Sequence, residues 1–121
     1  MHATPRRLEH YLNANPEVFR KAVEKKDRVV LVDFYADWCN PCKTLSPILE
    51  KLTEDPTVKS GSGHPVDLVT IDTDGAENYD LVAKHKVRSL PTVVAFKDGE
   101  PVNQFVGAIN EAGVRKFIGL L

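Results

Sequence analysis

Residues 28 to 36 read RVVLVDFYA, a nearly continuous β-branched and aromatic run interrupted by one carboxylate. Such a run predicts a strand covered on both faces, and therefore a central one in a parallel or mixed sheet. Before it, Asn15 and Pro16 suit a helix N-cap and first turn, and Val18, Phe19, Ala22 and Val23 recur at helical spacing. These predict a helix from about residue 16 to 26. After it, Leu45, Ile48, Leu49 and Leu52 form one stripe, predicting a helix that begins at Cys39 or Asn40, runs to about residue 54 and is kinked by Pro47. PTVKSGSGHP reads as a loop, VDLVTID as a second core strand, and AENYDLVAKHKV as a helix with Leu81, Val82 and His85 inward. PTVVAFKDGEPVNQFVG predicts two strands about an Asp98-Gly99 hairpin turn, and NEAGVRKFIGLL a closing helix with Val114, Phe117 and Ile118 inward.

Helices alternating with strands and ending in a hairpin predict an α/β fold, a mixed sheet with helices on both faces. At 121 residues the chain is expected to form one domain whose core needs no disulfide or metal support. A formal net charge of -1, with no basic stripe, argues against nucleic acid as a partner. No apolar run reaches the roughly 18 to 20 residues that span a bilayer, and no secretory signal is visible, so a soluble protein without a membrane partner is expected. The opening MHATPRR carries two Arg and no acid. It reads equally as the end of a mitochondrial transit peptide or as an ordinary terminus, which leaves the mitochondrial matrix or the cytoplasm as the expected reducing compartment.

The two cysteines stand two residues apart in DFYADWCNPCK, at a strand-to-helix turn. Chemistry in such folds gathers at the carboxyl ends of parallel strands. A helix N-terminus stabilises a thiolate through its free N–H groups and dipole, so Cys39 suits a nucleophile. Cys42, one turn on, suits a resolving thiol, and Pro41 fits the first turn, where a missing N–H is harmless. Two other readings compete. A zinc site lacks a second CxxC and any HxxxH pair among His2, His10, His64 and His85, so no metal is expected. An inert core pair fits poorly with the flanking Trp38 and Pro41. Asp33 is either a solvated carboxylate near a strand end, or a buried one whose raised pKa lets it deprotonate Cys42. Trp38 is a contact surface or core; Pro91 is a strand-start proline or a cis one that presents the backbone of Leu90.

With LVDFYADWCNPCK, SLPTVVAFKDGE and FVGA in this order and spacing, the chain resembles the thioredoxin family over about residues 16 to 121, leaving 1 to 15 as an N-terminal extension. The resemblance implies a thioredoxin fold, with a four- or five-stranded mixed sheet flanked by four helices. It implies an exposed nucleophile Cys39, a resolving Cys42 and a buried, proton-transferring Asp33. It implies further that Pro91 is cis and packs on the cysteines. Trp38, Leu90 and Val106-Gly107-Ala108 would line a groove for an extended client peptide, and Asp72 would support Trp38. The implied function is general protein disulfide reduction by a monomer that needs no cofactor, with an NADPH-dependent reductase and disulfide-containing clients as partners. Three positions depart from the family pattern: Asn40 replaces a usual Gly, Tyr35 a frequent Trp, and Leu68 a common Lys near the buried Asp. The first bears on redox potential and the last favours a still higher Asp33 pKa.

Overall fold

The computed structural model describes residues 10–121, so the basic stretch MHATPRR lies outside the described residues. Along the chain run β1 (His10–Tyr11), α1 (Pro16–Val23), β2 (Val29–Tyr35), α2 (Asn40–Glu54), β3 (Val66–Asp72), α3 (Tyr79–Lys84), β4 (Thr92–Lys97), β5 (Glu100–Val106) and α4 (Glu111–Gly119); a 3₁₀ turn, Ala76–Asn78, leads into α3. They build one mixed sheet of order β1-β3-β2-β4-β5. β1 and β2 run parallel to β3, while β4 runs antiparallel to β2 and β5 antiparallel to β4. β2 is central, and each residue from Val29 to Phe34 is fully buried.

Alternation along the strands divides the core into two layers. Leu31, Leu68 and Val93 meet α2 and α4 on one face through Leu45, Leu49, Val114 and Ile118. Val32, Ile71 and Phe96 meet α1 on the other through Phe19, Ala22 and Val23. His85 stands edge-on to Phe19 and Phe96 in that second layer, and burial pushes its imidazole below the ordinary range, with Lys84 adding to the shift.

Local chemistry explains most element ends. Asn15 accepts the Val18 N–H at 2.8 Å and Pro16 opens α1, as its sequence suggests. The helix stops at Val23, short of the predicted residue 26, because the Val23 carbonyl takes the Gly99 N–H from the hairpin turn (2.8 Å). That turn has positive φ at both residues, Asp98 (53°) and Gly99 (82°), the twist a two-residue hairpin requires. α2 continues through Pro47. α3 ends at Lys84 and not near 87: Lys86 adopts a left-handed φ of 55°, and the Val87 N–H reaches back to the Val82 carbonyl, closing a Schellman-type cap.

β1 has no counterpart in the sequence reading. It is held by Asn13 N–H to Thr70 Oγ1 (2.6 Å), Ala14 N–H to the Thr70 carbonyl (2.8 Å) and His10 Nε2 to Thr53 Oγ1 (2.7 Å). At the other edge, β5 carries Pro101, and its pairing with β4 slips at Ala95/Phe96. The Gly- and Ser-rich loop also has a defined place. Gly61 N–H donates to the Ile118 carbonyl (3.2 Å) and Ser62 Oγ to the Leu121 carbonyl (3.0 Å), which docks the loop against the end of α4.

Candidate active site

The end of β2 delivers the chain into the turn Ala36–Trp38 and then into α2, whose N-cap is Cys39. The Cys39 Sγ accepts the Cys42 N–H at 3.2 Å, so the sulfur occupies the place that a capping oxygen would fill. Cys39 and Cys42 are joined as a disulfide with their Cα atoms 5.3 Å apart. Pro41 lies in the first turn, where no intrahelical partner is lost. Both cysteines are buried in this oxidised form, at 3% and 2% exposure, packed with Ala36 and against Leu90 and Tyr35. The exposed Cys39 that the resemblance implies is therefore not found here: the sulfur turned toward Cys42 is covered by its neighbours.

The Leu90-Pro91 peptide bond is cis, which decides between the two readings of Pro91. Leu90 touches the cysteine cluster, and the Pro91 carbonyl accepts the Gly107 N–H at 2.9 Å, drawing the segment after β5 to the site. Trp38 is 68% exposed, a surface residue and not a core one; Val106 is 52% exposed, and Gly107 holds a φ of +99°. Ala108 is exposed beside it.

Trp38 is held by a different carboxylate from the expected one. Its Nε1–H donates to Asp74 Oδ2 at 2.9 Å. Asp72 lies opposite Tyr35 in the β2/β3 register, and its side chain turns back to accept the Asp74 N–H (2.9 Å). Asp72 thus shapes the turn that carries Asp74 and does not reach Trp38. The signal for Asp74 is the sequence DTDG, an Asx turn directly after a strand.

Asp33 is fully buried, and neither carboxyl oxygen has a hydrogen-bond partner. Burial pushes its pKa up to about 7; the nearby Ser46 hydroxyl offsets part of that rise and the Glu50 carboxylate adds to it. The solvated reading of Asp33 is excluded, and the group titrates near neutrality. Tyr35, two residues on, is also pushed up, by burial first and then by Asp72, Asp37 and Asp33. Among the described residues, no group of three or more His, Cys, Asp or Glu is placed to hold a metal, and no helix is long and apolar enough to cross a membrane.

The chemistry this arrangement supports is reversible dithiol–disulfide exchange: a capped sulfur at a helix N-terminus and a second bonded to it one turn on, with a buried carboxyl, Asp33, on the strand that leads into the turn. Comparison with known proteins agrees. The family model described as Thioredoxin matches residues 10–119. A chloroplastic thioredoxin of Arabidopsis thaliana is 41% identical over 107 residues, covering 88% of this chain, which spans 56% of that relative's length. A thioredoxin of Staphylococcus epidermidis is 47% identical over 79 residues, 65% of this chain and 68% of its own. Among solved structures, a point mutant of thioredoxin from Halobacterium salinarum superposes with a TM-score of 0.78 at 34% identity, covering 96% of this chain and 93% of its own. The sheet, the CxxC pair and these relatives together make the chain a thiol–disulfide oxidoreductase with a thioredoxin fold, a member of the thioredoxin family.

Proposed function

We propose that the chain reduces disulfides in a range of client proteins, with Cys39 as nucleophile, Cys42 as resolving thiol and Asp33 as base. The carrying observation is the Cys39 Sγ at the N-terminus of α2, bonded to a partner sulfur one turn on. In the reduced form, the Cys39 thiolate attacks one sulfur of a client disulfide and expels the other as a thiolate. Cys42 then gives its proton to Asp33, and its sulfur attacks Cys39 Sγ. This forms the intramolecular disulfide and expels the second client thiolate. Two electrons pass to the client, whose thiolates take protons from solvent.

Trp38, Leu90, Val106, Gly107 and Ala108 form the client-facing surface, where an extended segment pairs with exposed backbone beside the cis Pro91. An NADPH-dependent reductase restores the dithiol and the protein acts as a monomer. A reducing compartment, cytoplasm or mitochondrial matrix, is its place of work.

The test uses insulin as the client. Cys39→Ser is expected to abolish disulfide reduction, and Cys42→Ser to accumulate a covalent mixed disulfide visible on a non-reducing gel. Undiminished insulin reduction by Cys39→Ser overturns the assignment; a Cys42→Ser form that turns over freely removes the resolving role.

A further inference from the structure

A second cleft lies over the face of β2 and β3 that carries Asp33, bordered by its cross-strand neighbour Thr70 and by Tyr35, and shares no residue with the client-facing surface. It has a volume of about 220 Å³, room for several waters, and is bordered by Leu12, Asn13, Tyr35, Ser46, Glu50 and Thr70. Leu12 and Asn13 are exposed, so it opens to solvent. Thr70 is the cross-strand neighbour of Asp33, and Tyr35 follows Asp33 on the same face of β2. Ser46 and Glu50 stand four apart on α2, on one side of the helix. No residue of this cleft belongs to the set Trp38, Leu90, Val106, Gly107 and Ala108, so a docked client leaves it uncovered.

The catalytic cycle proposed above poses a problem that the cleft answers. Asp33 receives the Cys42 proton while fully buried, with neither oxygen hydrogen-bonded, and must lose it before the next turnover. We propose that the cleft bordered by Ser46, Glu50 and Thr70 is the proton outlet of Asp33, with Ser46 and Glu50 as its positioning residues. This rests on the reading of Asp33 as the base.

The two α2 side chains act on Asp33 in opposite senses: the Ser46 hydroxyl favours the carboxylate, and the Glu50 charge favours the neutral acid. Among the described residues, the strands paired with β2 place no titratable side chain directly opposite Asp33. β3 contributes Leu68 and Thr70, and β4 contributes Val93 opposite Asp33. On β2 the only further titratable neighbour is Tyr35, whose phenol is held neutral by burial and by the charges of Asp72, Asp37 and Asp33. Protonation of Asp33 is thus set chiefly by burial and then by the two residues of the cleft.

The reduced protein, treated at low pH with a dithiobis(nitrobenzoate) reagent, yields a mixed disulfide on Cys39; a pH jump lets Cys42 release the second thionitrobenzoate, read by absorbance. The rate is expected to rise with a midpoint of about 7. Glu50→Gln moves that midpoint down and Ser46→Ala moves it up, each by roughly half a pH unit, while Ser46→Thr, which keeps the hydroxyl, leaves it in place. The Asp33 carboxyl, followed by NMR, titrates in step. Ser46→Leu, which fills the cleft, slows repeated insulin turnover several-fold more than single release. If Glu50→Gln and Ser46→Ala shift the midpoint in one direction or not at all, or Ser46→Leu affects both rates equally, the outlet is wrong while Asp33 stands as base. If Asp33→Asn keeps the full pH profile, base and outlet fall together.

Discussion

A carboxyl group at the centre of a sheet makes stability depend on pH in a defined sense. Folded Asp33 holds its proton up to about pH 7, whereas the unfolded chain releases it near 3.8. The folded state therefore binds the extra proton between these values, and stability falls as pH rises through that window. The difference between 3.8 and about 7 corresponds to roughly 4 kcal/mol. Asp33→Asn is accordingly expected to be more stable than the parent at pH 8 by an amount on that order, with the gain vanishing below about pH 4; urea unfolding at several pH values measures it. An equal difference at both ends contradicts the burial argument. At this scale the sequence carried much of the site. Cys39 at a helix start and Asp33 inside an apolar run are both visible in one dimension, because helix polarity and strand burial are local properties. The support of Trp38 was not, since two carboxylates, Asp72 and Asp74, flank the same turn and only the direction of the Asp72 side chain decides between them.

Elements with strong periodicity, such as α2 and β2, were legible almost to their ends. The failures came where ends are set by partners distant in the chain. α1 stops because the β4–β5 turn supplies a donor, and α3 stops at a left-handed Lys86 where no glycine announces it. Of β1 the described residues include two, too few to show a period, and these are held by bonds to β3 and α2. The Gly- and Ser-rich stretch read only as a loop, yet it docks against the end of α4. A side chain at Gly61 would collide with the Gly119 carbonyl, so close approach is what requires glycine there. Gly61→Ala is expected to lower stability by about 1 to 3 kcal/mol through loss of that docking, read as a reduced urea midpoint. Unchanged stability would mean that the loop lifts away without cost. Because the cysteines lie on another part of the chain, insulin reduction by the folded variant is expected to match the parent.

For the molecule as a whole, the layered order follows from β2 having apolar residues on both faces, which demands a helix layer on each side. One buried ion pair ties the sheet where its two central parallel strands begin. Arg28 places Nη1 2.9 Å from both oxygens of the fully buried Asp67. Arg28→Met strips this counter-charge from a buried carboxylate, and a loss on the order of 3 kcal/mol is expected from urea unfolding at pH 7. A loss within measurement error would show that Asp67 is sufficiently compensated by its other contacts. The pair was not legible in the sequence, since Arg28 and Asp67 are 39 residues apart and become neighbours only through the β2/β3 register.

The sheet edges carry a consequence for the company this protein keeps. Disulfide-bearing clients present extended, incompletely folded backbone, the material that adds to an open strand and seeds aggregation. Among the described residues β1 offers two for such pairing, and β5 is interrupted by Pro101 and by the slip at Ala95/Phe96. Along the first part of β5 a client strand would find a missing donor at Pro101 and a broken register. The end of β5, at Val106 and Gly107, is unbroken and is tied to the cis Pro91 by the Gly107 N–H. If clients pair at this end of β5, as proposed above, a foreign strand is admitted for the length of one chemical event and denied the longer ladder that would turn a visitor into a co-aggregate.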